Sequence, residues 1–182
     1  MFRQLVEELR AKPPLRRTER EIGQFLGRVA SAWGDGPRLI SRSDTYTRTC
    51  VYSDENFEML LLNWAAGAAS AIHDHGDQHC WMLVLAGQLE VEDYVRLDPG
   101  DVPGYAHVQE AGRRVLAGGG VDARSGRFDL HRVSSAGASA VSLHVYSGPL
   151  RRYLVYDALS RRCETAIGTY DDVLSLYSGA HR

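Results

Sequence analysis

Apolar positions near the start of the chain recur at helical spacing. A first stripe follows the i, i+3, i+4, i+7 order that places side chains on one helix face: Phe2, Leu5, Val6 and Leu9. A second stripe has the same character: Ile22, Phe25, Leu26, Val29 and Trp33. Pro13 and Pro14 separate the two stripes, and Thr18 with Glu21 has the form of a capping box. The pattern predicts two helices within residues 1–40, forming a helical cap on a larger unit.

The pattern changes near Tyr46. From there to Asp157 the apolar runs are short, rich in Val, Leu, Tyr and Trp, and separated by Gly, Asp and Pro, which is typical of strands joined by turns. Strands are predicted over 46–52, 57–64, 71–75, 80–86, 88–95, 113–117, 128–133, 140–147 and 151–157. Many short strands at this spacing indicate a sandwich or barrel over 44–157. In the extension over 158–182, a short helix is predicted from Tyr170 to Tyr177.

Composition and charge narrow the class of protein. The chain has 182 residues, of which 44% are hydrophobic and 24% charged, a length that favours one domain. With 21 basic and 23 acidic residues the net charge is −2, so no basic excess predicts a nucleic-acid or membrane partner. No apolar window reaches a membrane span, and the charged first residues lack a signal-peptide core. Three cysteines favour a reducing compartment. We expect a cytoplasmic monomer.

Two histidines two positions apart are the first candidate chemistry. Residues i and i+2 of a strand point to the same face, about 7 Å apart along the chain. His73 and His75 can therefore converge on one ion, whereas Asp74 between them points away. A His-x-His pair alone is equally compatible with surface or core histidines. Its spacing to the flanking Gly67 and Gly87 is that of the first cupin motif.

Further motifs make the resemblance specific. The second cupin motif should supply one more histidine, and His131 is the candidate. The pieces that carry the resemblance are, in order, Tyr46-Thr47-Arg48, Trp64, His73-Asp74-His75, His79-Cys80, Leu130-His131-Arg132-Val133 and Val141-Ser142-Leu143-His144-Val145-Tyr146-Ser147. Over roughly 44–157 the sequence resembles the cysteine dioxygenase family of thiol dioxygenases, a cupin family that uses mononuclear non-haem iron. The resemblance implies a mainly β fold: a single cupin β-barrel, jelly-roll-like, with N-terminal helices.

The resemblance also implies a metal and a substrate contact. His73, His75 and His131 would bind Fe(2+), and three neutral imidazoles without a carboxylate leave open coordination positions. Arg48 would pair with a substrate carboxylate, because a planar guanidinium offers two parallel hydrogen bonds. Tyr46 would support that pocket. The alternative for Arg48 is a surface ion pair.

A tyrosine near the end of the motifs has an implied catalytic role. Tyr146 would place its hydroxyl beside the dioxygen and substrate positions, with His144 and Ser142 as a relay on the same strand face. Cys80 stands where a cysteine of some members becomes thioether-bonded to that tyrosine. The cupin motif usually has a glutamate there. The alternative for Cys80 is a buried thiol packed as a small hydrophobe.

The implied function is addition of both atoms of O2 to the sulfur of a small thiol, converting L-cysteine to cysteine sulfinic acid. Two departures concern the pocket: Ser147-Gly148-Pro149 replaces the usual Ser-Pro-Pro, and Ser135 replaces an asparagine. Another thiol acid such as 3-mercaptopropionate is the alternative substrate, although members that prefer it usually carry Gln in place of Arg48. A non-catalytic cupin that binds metal or ligand is disfavoured by the intact hydroxyl relay. A zinc-dependent isomerase or hydrolase is disfavoured by Cys80.

Overall fold

Two helices open the computed structural model, which describes residues 1–34, 44–174 and 176. Helix α1 spans Phe2–Ala11, a 3-10 turn spans Pro14–Arg16, and helix α2 spans Glu19–Trp33. Both apolar stripes are turned inward, as predicted. The capping box at the start of α2 is confirmed, because the Glu21 amide donates to Thr18 Oγ1 at 3.3 Å and the Thr18 amide donates to Glu21 Oε2 at 2.7 Å. Residues 35–40 of the predicted cap lie outside the described residues.

Strands make up most of the remaining chain. Within the described residues they are β1 (Tyr46–Ser53), β2 (Glu58–Trp64), β3 (Ile72–His73), β4 (His79–Ala86), β5 (Gln88–Arg96), β6 (Val108–Ala117), β7 (Val121–Ser125), β8 (Leu130–Ser135), β9 (Ala140–Tyr146), β10 (Arg152–Asp157), β11 (Arg162–Ile167) and β12 (Asp172–Val173). They form a first sheet in the order β12-β1-β2-β9-β4-β7 and a second sheet in the order β11-β10-β3-β8-β5-β6. From β2 onward most connections pass from one sheet to the other, which is the jelly-roll pattern.

The first sheet is buried on both faces. One face carries Met59, Leu61 and Leu143 against the two helices, and the opposite face carries Leu60 and Leu62 toward the second sheet. Strands β2 and β9 are consequently buried at every position, including two polar residues in each: Glu58 and Asn63 in β2, and Ser142 and His144 in β9. The side chains between the two sheets enclose the candidate site. Within the described residues, no helix has the length and apolar character needed to cross a membrane.

The mainly β, jelly-roll-like prediction is confirmed, with two corrections. The two sheets share no strand, so they face each other as a sandwich and are not closed into one barrel. The helix predicted from Tyr170 to Tyr177 is wrong in its described part, where β12 pairs parallel to β1. The amide of Leu174 donates to the carbonyl of Cys50 at 2.8 Å. Unpaired backbone groups on the edge of β1 thus override a weak helical pattern.

Candidate metal centre

Three histidines meet between the two sheets. His73 on β3 and His131 on β8 lie directly opposite each other in the antiparallel ladder, and His75 follows β3 in the next turn. One ring nitrogen of each lies within 4.8 Å of the others. The side chains of His75 and His131 are almost fully buried. The structure therefore brings together the three residues that the sequence nominates as metal ligands.

Asp74 holds the His-x-His segment in place. Its carboxylate faces away from the two imidazoles, as predicted, and is buried against β10. Asp74 Oδ1 accepts from the Leu154 amide at 2.9 Å, and Oδ2 accepts from the Tyr156 hydroxyl at 2.9 Å. The Asp74 amide donates to the Leu154 carbonyl at 3.1 Å. These bonds fix the backbone on which both histidines are carried.

We expect Asp74→Ala to lower the free energy of unfolding by about 2–4 kcal/mol, because it leaves the part-buried Leu154 amide and the buried Tyr156 hydroxyl without an acceptor. Urea unfolding followed by circular dichroism measures the change. Asp77→Ala is the matched control, since that carboxylate is 78% exposed in its ion pair with Arg127 and should cost under about 0.5 kcal/mol. Equal midpoints for the two variants would contradict the anchoring role.

Hydrogen bonds set the protonation of two of the rings. His73 Nδ1 lies 2.9 Å from the Ala71 carbonyl and His131 Nδ1 lies 2.9 Å from Asp122 Oδ2. Each Nδ1 faces an acceptor and so carries the proton, which leaves Nε2 with a free lone pair. Among the described residues, His75 Nδ1 is buried and has no hydrogen-bond partner, which fits a ring that would ligate a metal ion.

Burial keeps the cluster neutral. It lowers the pKa of His73, and it lowers the pKa of His75 and His131 far more, with further contributions from the neighbouring imidazoles. Metal ligation needs neutral imidazole, so the donor set fits a divalent cation of the first transition series. Within the described residues, no carboxylate or thiolate joins this cluster.

A small cavity of about 60 Å³ adjoins the histidines. Tyr46 and Arg48 line it from β1, and His73 and His131 line it from the second sheet. The Tyr46 ring packs on Trp64 with centroids 4.7 Å apart. Burial lowers the pKa of Arg48 and the nearby phenol groups raise it more, so the net shift is upward and the guanidinium stays charged. Within the described residues, no carboxylate forms an ion pair with it.

A chain of hydrogen bonds runs along the cavity wall formed by β9. The Tyr146 hydroxyl lies 3.4 Å from His144 Nδ1, and His144 Nε2 lies 2.9 Å from Ser142 Oγ. Trp64 Nε1 donates to Ser142 Oγ at 2.9 Å. Burial lowers the pKa of His144 to about 3, so the ring is neutral and carries one proton. Both tautomers of the ring are compatible with these two bonds, because the hydroxyls of Tyr146 and Ser142 can each donate or accept.

Cys80 and Tyr146 lie opposite each other on β4 and β9. Cys80 Sγ is 4.0 Å from His144 Nδ1, and the cysteine is free. Burial raises the pKa of the Cys80 thiol and raises that of the Tyr146 phenol well above its ordinary value. Both groups are therefore protonated at neutral pH.

Three residues at the site were given no role by the sequence. Trp64 belongs to a motif, but its bond to Ser142 depends on the pairing of β2 with β9. Tyr153 lines the cavity with its ring centroid 5.9 Å from that of His73. Asp122 lies on β7, whose buried positions carry charged residues. Its sequence therefore does not show the apolar alternation typical of a strand. Only the position of Trp64 in a motif could have pointed to it.

Comparison with known proteins gives a family match. The model of the family described as cysteine dioxygenase type I matches residues 38–159. Cysteine dioxygenase type 1 of Danio rerio is 33% identical over 115 residues, which cover 62% of this chain and 56% of the relative. The Bos taurus protein of the same name is 29% identical over 128 residues, covering 69% of this chain and 62% of the relative. The match thus spans 56–62% of the length of these relatives.

Solved structures resemble the chain more distantly. KdgF from Halomonas sp. aligns with a TM-score of 0.47 and 15% identity, covering 60% of this chain and 84% of that one. An oxalate oxidase in complex with the substrate analogue glycolate aligns with a TM-score of 0.45 and 17% identity, covering 59% of this chain and 53% of that one.

Proposed function

The chain belongs to the cysteine dioxygenase type I family, and on that premise we propose that it is an Fe(II)-dependent thiol dioxygenase that converts L-cysteine to cysteine sulfinic acid. The observation that supports this most is the convergence of three neutral imidazoles beside a small cavity lined by a guanidinium that forms no ion pair with any described residue. Fe(II) held by His73, His75 and His131 would supply the redox chemistry between the thiol and O2.

Arg48 selects and orients the substrate. Its guanidinium lines the cavity on the first sheet, whereas the three histidines are carried by the second sheet and the turn after β3. A thiol acid whose carboxylate forms two parallel hydrogen bonds with Arg48 extends its sulfur toward the imidazoles. The small cavity excludes large substrates and bulk water, which strengthens the charge pairing.

Tyr146 and the residues behind it manage a proton beside the sulfur. The hydroxyl faces the cavity and remains protonated, so it can donate a hydrogen bond to developing negative charge on oxygen. His144 holds the hydroxyl through Nδ1 and is itself held by Ser142 and Trp64. The relay fixes the direction of the Tyr146 hydroxyl before substrate arrives.

Oxygen consumption by the iron-loaded protein tests the proposal. L-cysteine should give the highest kcat/KM in a panel with 3-mercaptopropionate and cysteamine, and with ¹⁸O2 both labelled atoms should appear in the sulfinic acid. Preference for 3-mercaptopropionate would overturn the assignment of L-cysteine. Bound iron with no oxygen consumption for any thiol would instead indicate a non-catalytic cupin.

We also expect Cys80 and Tyr146 to become joined by a thioether during turnover. The Cys80 sulfur would bond to a ring carbon of Tyr146, with loss of the thiol and ring hydrogens; O2 accepts the two electrons and two protons. The link removes rotamer freedom from the ring and holds its hydroxyl toward the substrate. Cys80→Ala should therefore keep partial activity, whereas Tyr146→Phe should lose more.

Peptide mass spectrometry after turnover measures the link. A linked chain yields one branched peptide containing Cys80 and Tyr146, lighter by two hydrogen atoms than its parts. Cys50→Ala is the matched control, because Cys50 is also a buried free thiol but has no tyrosine opposite it in the ladder. It should keep the branched peptide. Separate peptides after extensive turnover of a confirmed substrate would show that Cys80 only forms part of the cavity wall.

A further inference from the structure

A cluster of charged side chains lies behind His131, where the edge of the first sheet meets the second. Its members alternate in sign: Asp93, Arg114, Asp122, Arg124 and Asp129. Asp122 and Arg124 come from β7 in the first sheet, whereas Asp93 and Arg114 come from β5 and β6 in the second. Arg124 Nη2 donates to Asp93 Oδ1 at 2.6 Å, and Nη1 donates to Asp129 Oδ1 at 3.0 Å.

Asp122 is the centre of this cluster. Its side chain has 0% exposure and that of Arg124 has 5%. Arg124 contacts the carboxylate with two donors, Nε to Oδ2 at 2.7 Å and Nη2 to Oδ1 at 2.8 Å. Arg114 Nη2 also donates to Oδ1. The fourth donor is His131 Nδ1, 2.9 Å from Oδ2. All the acceptor positions of the carboxylate are thus occupied.

We propose that Asp122, held by Arg124, is a positioning residue that fixes His131 in the tautomer with the proton on Nδ1 and thereby turns its Nε2 toward the metal. This inference rests on the proposed metal centre. Burial of a carboxylate costs hydration that must be replaced, and here two guanidinium groups and one imidazole replace it. The two arginines occupy the other acceptor positions of Asp122, which leaves one position on Oδ2 to accept the hydrogen bond from His131 Nδ1.

Strand pairing explains why, of the three histidines, His131 is the one hydrogen-bonded to a carboxylate. His131 on β8 pairs with Asp93 on β5 in the second sheet, and the Asp122 side chain reaches its ring from the first sheet. In the first sheet, Asp122 lies opposite Met82 and Arg124 lies opposite Cys80. The cluster therefore connects the edge strand that borders Cys80 to the strand that carries His131. A shift of one sheet relative to the other would therefore move His131.

The tautomer of His131 can be measured by ¹⁵N NMR of the metal-free protein. The intact chain should show a protonated Nδ1 and an unprotonated Nε2 at neutral pH. In Asp122→Asn the amide can donate to Nδ1, which favours the proton on Nε2 and blocks the lone pair needed by the metal. Titration with Co(II) alone, followed by its visible absorption, should then show affinity about 10–100-fold weaker than for the intact chain.

Asp129→Asn is the matched control. It removes the same charge from the cluster and the same kind of contact to Arg124, but it does not touch His131. It should keep the tautomer and the Co(II) affinity of the intact chain. Equal loss of Co(II) affinity in both variants would show that the cluster acts only by joining the sheets, and would overturn the proposal.

A proton on Nε2 of His131 in the intact chain would also overturn it, and this measurement needs no variant that must fold. Neither readout contains a thiol or O2. If the His131 tautomer and the Co(II) affinities are as expected but no thiol is oxidised, the proposed function is refuted and the positioning role of Asp122 stands.

Discussion

His131→Ala is expected to abolish stable Fe(II) binding and to reduce thiol oxidation to background. The cluster contains three ligand side chains, and within the described part of the chain no carboxylate or thiolate is close enough to replace one. Two imidazoles cannot hold an exchangeable divalent ion against buffer and water as three do. Iron analysis after gel filtration measures the loss, and His73→Ala and His75→Ala should behave alike.

His79→Ala is the matched control for the loss of an imidazole. His79 is four residues after His75, but its ring stacks on Trp81 with centroids 5.7 Å apart and takes no part in the cluster. Full iron content and activity are expected. Full iron occupancy in His131→Ala would refute the ligand assignment, and retained iron without activity would assign His131 a role other than binding the metal.

Most of the site residues that could be predicted from the sequence belong to patterns within one short segment of the chain. The i, i+2 spacing predicted His73 and His75 on one side with Asp74 on the other, and the structure keeps this alternation although β3 ends at His73. The same alternation aligned Ser142, His144 and Tyr146, and the structure joins them by hydrogen bonds. Such patterns involve residues only a few positions apart, so they do not depend on how the two sheets are arranged.

Long-range contacts account for what the sequence could not show. Strand β7 is a polar alternation whose buried members, Asp122 and Arg124, are charged, so no apolar pattern marks it. The role of Asp122 depends on its hydrogen bond to His131, which is nine residues away along the chain but lies in the other sheet. Strands β11 and β12 were missed for a related reason: both are largely exposed, and pairing with a neighbour defines them more than burial does.

The other large effect is expected at the acid end of the substrate. Arg48→Ala should weaken transition-state binding of L-cysteine by about 2–5 kcal/mol, because a desolvated carboxylate loses its partner, and kcat/KM should fall accordingly. That corresponds to roughly thirtyfold to several thousandfold in rate. Arg48→Lys should recover only part of the loss, since an ammonium group cannot form the two parallel hydrogen bonds. Arg151→Ala is the matched control: that cation is exposed and does not line the cavity.

Cysteamine separates loss of the carboxylate contact from damage to the cavity. It has the thiol and amine of L-cysteine but no carboxylate, so the intact protein should turn it over poorly and Arg48→Ala should turn it over equally poorly. The two changes are then non-additive, as expected for partners in one interaction. Steady-state oxygen consumption with both substrates and both proteins gives the four rates required. Efficient turnover of cysteamine by the intact protein would exclude carboxylate recognition by Arg48. A further large drop in the variant would show that Arg48 shapes the cavity and does not bind the acid.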